Sequence, residues 1–207
     1  MGGKILVNLE ESRHISIIGS EGSGKTTYIR GLVEDALRAY PDLEVCIYGA
    51  RDKKWEELAE HSRVAVYSFE GTLRDKLTRD EYPTSEKPTL IVLDDVDYTV
   101  QMLPREEREA VAKKLYKLLI GENSENTYSI VSSLRPLATY YPPELLELAN
   151  TKIALRLEVG ADYTTFFETK EYKATGDVPN AVSEAYIDTK NTNGAVFIES
   201  VEDIELK

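Results

Sequence analysis

Ile15-Ser16-Ile17-Ile18-Gly19-Ser20-Glu21-Gly22-Ser23-Gly24-Lys25-Thr26-Thr27 is the stretch that decides how this chain is read. An apolar, β-branched run passes into a glycine-rich segment, and a helical pattern starts at Lys25. Residues 19–26 fit G-x-x-x-x-G-K-[ST] in full, a match that average composition yields by chance in about one chain of this length in a hundred. Each residue type has a task. The glycines let the backbone curl so that successive N–H groups face phosphate oxygens. The start of the helix adds partial positive charge. Lys25 is expected to meet the β- and γ-phosphates, and the Thr26 hydroxyl to ligate Mg²⁺, with Thr27 beside it. A bare glycine-rich turn needs neither the lysine nor the hydroxyl. The pattern therefore predicts ATP and Mg²⁺ cradled by Gly19, Ser20, Glu21, Gly22, Ser23, Gly24, Lys25, Thr26 and Thr27.

Outward from this loop the chain alternates between two periodicities. Ile29, Leu32, Val33, Ala36 and Leu37 repeat with the spacing of one buried helix face, and Tyr40-Pro41-Asp42 ends that helix. Strands are predicted over 4–9, 14–18, 43–48, 64–67, 89–93, 128–132 and 151–157, with weaker ones at 195–199 and 203–206. Helices are predicted over 55–61, 73–79, 144–149 and 162–169, and Pro104 opens a strong one that Gly121 closes. Residues 177–193 read as the least structured stretch. Strands alternating with helices predict an α/β fold, a P-loop NTPase with a RecA-like, mainly parallel sheet flanked by helices. One domain over 1–207 is expected, with its core at about 4–157 and a C-terminal extension over about 158–207.

A second motif follows at Leu90-Ile91-Val92-Leu93-Asp94-Asp95, where four apolar residues run into two carboxylates. Continuous apolarity fits a strand buried on both faces. Such a strand is expected beside the P-loop strand, with its terminal Asp94 holding Mg²⁺. Asp95 then falls where a carboxylate orients and activates the attacking water. Aspartate is one methylene shorter than glutamate, so that base sits deeper, acts through a second water, or works slowly. Asp97 is the alternative two residues on.

Composition closes off other classes. With 25 Lys+Arg against 37 Asp+Glu the net charge is −12, which argues against a diffuse basic coat for nucleic acid. A local basic patch stays compatible with it. No apolar run approaches the roughly 20 residues of a membrane helix. Met1-Gly2-Gly3-Lys4 leads into a strand-like stretch rather than a signal peptide. A single cysteine, Cys46, cannot form an intramolecular disulfide, and with two histidines it makes a poor zinc set.

Several segments together resemble the FtsK–HerA family of DNA-translocating ATPases. Leu9 to Thr27 resembles the approach to the family's P-loop. Tyr48 to Lys54 stands where the family has an Asp-x-Lys-like element. Ile130-Val131-Ser132-Ser133-Leu134-Arg135-Pro136 resembles its post-strand Thr-Gln-Arg-Pro motif, and Leu145 to Leu157 resembles a short helix leading into the next core strand. The chain is similar above all to the compact genome-packaging ATPases of membrane-containing icosahedral viruses, including those of archaea. One departure is Leu134, which stands in place of a glutamine sensor and has no group to hydrogen-bond a phosphate.

That resemblance implies a homo-hexameric ring that pulls double-stranded DNA, in the host cytoplasm or on the virion, docked by a capsid or membrane protein. Lys25, Asp95, Ser133 as the polar sensor, and Arg135 at the nucleotide or a neighbouring subunit are its implied catalytic residues. Thr26 and Asp94 are the implied metal ligands. Arg105, Arg108 and Arg156 share with Arg135 the candidacy for an arginine acting on the next subunit's nucleotide. Lys113, Lys114 and Lys117 on the long helix, and Lys170 and Lys173 in the tail, are the candidate DNA contacts. Two rivals stand beside the motor. A nucleotide kinase would need an Arg-rich lid, which this sequence lacks. A slow, non-motor assembly or partition switch fits the short base at Asp95.

Overall fold

The computed structural model describes residues 8–50, 53–68, 86–101, 103–120, 124–136, 143–158, 160–167, 185–189 and 196–198. Among the described residues eight strands form one sheet: β1 (His14–Ile18), β2 (Glu44–Ala50), β3 (Val64–Ser68), β4 (Thr89–Leu93), β5 (Thr127–Ser133), β6 (Thr151–Ala154), β7 (Ala185–Thr189) and β8 (Val196–Ile198). Their order across the sheet is β3-β2-β4-β5-β1-β6-β7-β8. The pairings from β3 through β6 are all parallel, and β7 and β8 extend the edge antiparallel. This is the P-loop NTPase fold.

Among the described residues six α-helices flank the sheet: α1 (Lys25–Ala39), α2 (Lys54–Ala59), α3 (Val96–Gln101), α4 (Arg105–Ile120), α5 (Pro143–Leu148) and α6 (Gly160–Phe167). Strand alternation sends side chains to two faces. Ile15, Ile17, Val45, Ile47, Leu90, Val92, Ile130 and Ile153 pack on one face against the expected stripe of α1 and against Trp55 and Leu58 of α2. Ile91, Leu93 and Val131 pack on the other against Val96 and Val100 of α3, Leu115 and Leu119 of α4, and Leu145 of α5. Ile18 and Ala154 meet Phe166 and Phe167 of α6 with Tyr186 of β7. Both faces of β1 and β4 are thus covered, and every residue of the two strands is buried.

Three expectations need correction. The acidic strand β4 is not the neighbour of β1, because β5 lies between them and pairs with both. Helix α3 went unpredicted. Val-Asp-Tyr-Thr-Val-Gln is rich in β-branched residues of low helix propensity, and it is helical because Val96 and Val100, four apart, pack on one face. Strand β7 falls inside the stretch read as least structured; it forms by pairing antiparallel with β6, Ile153 opposite Ile187. The predicted helix over 73–79 and strand over 203–206, and nearly all of the strand over 4–9, lie outside the described residues.

Candidate functional site

The strand order puts the ends of β1, β4, β5 and β6 side by side, and the glycine-rich loop rises between β5 and β6. Its first residues are claimed by those neighbours. The Gly19 N–H donates to the Ser133 carbonyl at 3.2 Å and the Ser20 N–H to the Arg156 carbonyl at 2.8 Å. The Ser20 hydroxyl accepts the Glu158 N–H at 2.9 Å. Beyond this anchor Gly22 and Gly24 take φ of 71° and 92°, the left-handed region that a residue with a Cβ rarely enters. Helix α1 then starts without a side-chain cap and without an acidic residue in its first turn. Its leading N–H groups and dipole are left for an anion.

Lys25 is buried, and its ammonium donates to the Gly19 carbonyl at 2.7 Å. It lies 3.5 Å from Asp95 Oδ1, an ion-pair distance without a hydrogen bond, since that buried oxygen has no hydrogen-bond partner. Ser23 Oγ is buried without a partner as well. Unsatisfied buried polar atoms are costly, and two of them at this loop mark a place where a polar ligand completes the bonding.

Asp94 is the most heavily bonded carboxylate of the site. Thr26 Oγ1 and Trp55 Nε1 both donate to Oδ2 at 3.1 Å, and Ser132 Oγ donates to Oδ1 at 2.7 Å. Burial, with the adjacent Asp95 charge, raises its pKa above the usual carboxylate range, and these three donors pull the other way. No cation of the described residues pairs with it. A buried, oriented carboxylate beside a threonine hydroxyl is a donor set of hard oxygens that fits Mg²⁺. Thr26 and Asp94 would hold the ion.

Asp95 stands in the left-handed region at φ 51°, an unusual conformation that aspartate tolerates better than most residues. Its N–H donates to Ser132 Oγ at 2.8 Å. One hydroxyl thus holds the backbone of Asp95 and the carboxylate of Asp94. Glu21, Gly22, Ser23, Gly24, Lys25, Thr26, Thr27, Lys53, Asp94, Asp95 and Leu134 together line a cleft of about 620 Å³, room enough for a nucleotide.

Two expected roles meet a different geometry. Ser133 Oγ donates to the Arg135 carbonyl at 2.8 Å and accepts the Arg135 N–H at 3.3 Å, a local turn. The hydroxyl that reaches the carboxylates is that of Ser132. Arg135 is bound within its own chain: its guanidinium grips buried Asp162 of α6 through two bonds of 2.6 and 3.0 Å. Asp97 does not line the cleft; it is buried and accepts the Leu134 N–H at 3.1 Å, fixing the loop after β5. Burial raises its pKa, opposed by that N–H. Of the other arginines, Arg108 donates to the carbonyls of Leu103 and Gln101 at 3.2 Å. Arg156 lies beside the loop of its own chain, its guanidinium 3.8 Å from where a Cβ on Gly22 would stand. Lys113 pairs with Glu109 at 3.0 Å on an exposed helix face. Lys170 and Lys173 lie outside the described residues.

Sequence reading passed over Trp55, Ser132, Asp162 and Gly49. At Gly49 φ is 82°, and a Cβ would meet the Asp94 carbonyl at 2.6 Å. Only glycine lets β2 pass this close to the acidic strand end. Gly49 lies within β2, and its contact with Asp94 depends on β2 and β4 being neighbours.

The model of the ATPase family associated with various cellular activities (AAA) matches residues 15–160. The chain belongs to that family. No curated protein sequence matches it. Among solved structures the fold is similar to EssC (ATPases 2 and 3) of Geobacillus thermodenitrificans, with TM-score 0.70 and 17% identity over 96% of this chain and 41% of that one. It is similar to the conjugation coupling protein TcpA of pCW3, with TM-score 0.66 and 15% identity over 96% and 62%. It is also similar to the genome packaging NTPase B204 of Sulfolobus turreted icosahedral virus 2, with TM-score 0.63 and 15% identity over 94% and 98%. The chain thus spans less than two thirds of EssC and TcpA. At these identities the likeness is one of fold. Among the described residues, no helix of this AAA ATPase domain is long and apolar enough to cross a membrane.

Proposed function

We propose that this chain is an ATP-hydrolysing, ring-forming translocase of double-stranded DNA, of the FtsK–HerA kind, working in genome packaging, with residues 1–207 as one ATPase domain. The observation that carries the packaging reading is the fold likeness to B204, which extends over nearly the whole of both chains, where EssC and TcpA are matched in part.

In this reading the loop N–H groups and Lys25 bind the phosphates, and Lys25 exchanges its contact with Asp95 for phosphate oxygen. Thr26 and Asp94 would hold Mg²⁺, which when bound would supply charge neutralisation for the phosphates. Freed from Lys25, Asp95 aligns the attacking water and takes its proton. Ser132 keeps the two aspartates in register. With Arg135 bound to Asp162, an arginine of a neighbouring subunit is expected from Arg105 or another exposed position. Hydrolysis at a subunit interface couples chemistry to motion. The net charge of −12 then lies on the outer surface, and a short basic inner rim gives weak, salt-sensitive DNA binding.

The test is ATP turnover with and without double-stranded DNA, measured beside sedimentation mass. DNA-stimulated turnover by a hexamer supports the translocase. Phosphate transfer to a nucleoside monophosphate, or slow turnover indifferent to DNA, gives the site to the kinase or the switch.

A further inference from the structure

Lys53 lines the same cleft as Lys25, Asp94 and Asp95. It is exposed, and its side chain has no partner among the described residues. Lys25, by contrast, is already committed to the Gly19 carbonyl and to Asp95. The cleft is lined by three carboxylates (Glu21, Asp94 and Asp95) against two ammonium groups, and among the described residues no carboxylate pairs with Lys53. A nucleoside triphosphate carries more negative charge than one shared lysine and one divalent ion cancel.

The placement of Lys53 is fixed by a neighbour. Trp55 is 1% exposed within the main core, and its indole N–H is bonded to Asp94 Oδ2, the same oxygen that accepts the Thr26 hydroxyl. Lys53 stands two residues before Trp55, at the start of the same helix, and lines the cleft together with Thr26 and Asp94, where the β- and γ-phosphates lie if those two residues hold Mg²⁺. From that rigid base a four-carbon stem can place a point charge on a phosphate oxygen.

We infer that Lys53 is a second cation of the same subunit for the terminal phosphate, carried to the cleft by the Trp55–Asp94 contact, so that it separates triphosphate from diphosphate. The inference rests on the ATPase reading of the cleft. Trp55 is the single tryptophan of the chain, and its fluorescence reports occupancy without turnover.

The experiment titrates wild-type protein, Lys53→Met and Lys53→Arg with Mg²⁺ and either ADP or a non-hydrolysable ATP analogue, following Trp55 fluorescence and heat of binding. Lys53→Met is expected to weaken the triphosphate analogue about tenfold and leave ADP within about twofold. Lys53→Arg recovers most of the loss. Equal weakening of both nucleotides assigns Lys53 a structural role and overturns the inference, as does unchanged binding of both. If wild-type protein binds neither nucleotide, the cleft itself is misread. If wild type binds both and Lys53→Met matches it, the ATPase reading stands and Lys53 alone loses its role.

Discussion

The two walls of the cleft are built in opposite ways. The phosphate wall, Gly19 to Thr27, is one continuous stretch whose geometry comes from its own backbone, two positive-φ glycines and an uncapped helix start. The acidic wall is assembled from three separate segments, Asp94 and Asp95 after β4, Ser132 of β5 and Trp55 of α2, and it meets the phosphate wall at Thr26. A local wall survives in sequence as a spacing. An assembled wall depends on which strands are neighbours and in what register, so its members carry no common signature.

This contrast gives an order of expected damage. On the phosphate wall, Lys25→Ala removes the buried ammonium and is expected to lower ATP turnover by at least about a hundredfold. A variant that turned over at the wild-type rate would break the assignment of both walls. Asp95→Asn separates binding from chemistry. It keeps the shape, removes the carboxylate that competes for Lys25, and is expected to tighten ATP binding while lowering turnover about a hundredfold. Equilibrium binding beside single-turnover rates decides it, and weaker ATP binding would deny the Lys25–Asp95 contact its competing role.

On the acidic wall the effects are those of packing. Gly49→Ala places a Cβ 2.6 Å from the Asp94 carbonyl at a positive φ, and is expected to cost about 3 kcal/mol of stability, read as a denaturant midpoint. Ser132→Ala leaves Asp94 Oδ1 and the Asp95 N–H short of a partner; about 2 kcal/mol of stability and a loss of Mg²⁺-dependent nucleotide affinity are expected. Ser133→Ala loses a local turn bond worth about 1 kcal/mol and is expected to keep that affinity. If the two serines exchanged these outcomes, the sensor role that the resemblance implies for Ser133 would be the better reading.

The legibility of the site follows the same division. The α1 stripe was readable because Ile29, Leu32, Val33, Ala36 and Leu37 repeat with the helix period, and all five are buried. The strand β4 was readable because Leu90 to Leu93 is continuously apolar, as burial on both faces requires. By contrast, the choice between Ser132 and Ser133 was not readable. Two adjacent hydroxyls on a strand point to opposite faces, and the one that meets Asp94 is set by the pairing of Leu93 with Val131. Trp55 read only as a helix residue, since nothing near it in sequence announces a carboxylate 39 positions away. Arg135 read as a contact to the nucleotide or a neighbouring subunit, since its partner, Asp162, lies 27 residues on.

By itself the sequence determined the phosphate loop, the alternation of strands and helices, and the acidic end of β4, because each is written in residues close enough together for backbone geometry and periodicity to act alone. Only the tertiary structure decided that β5 stands between β4 and β1, that Ser132 and Trp55 hold the carboxylates, that Arg135 is spent on Asp162, and that Lys53 faces the cleft. Those contacts join residues far apart along the chain, and only the sheet order and register, set by the buried core, bring them within reach of one another.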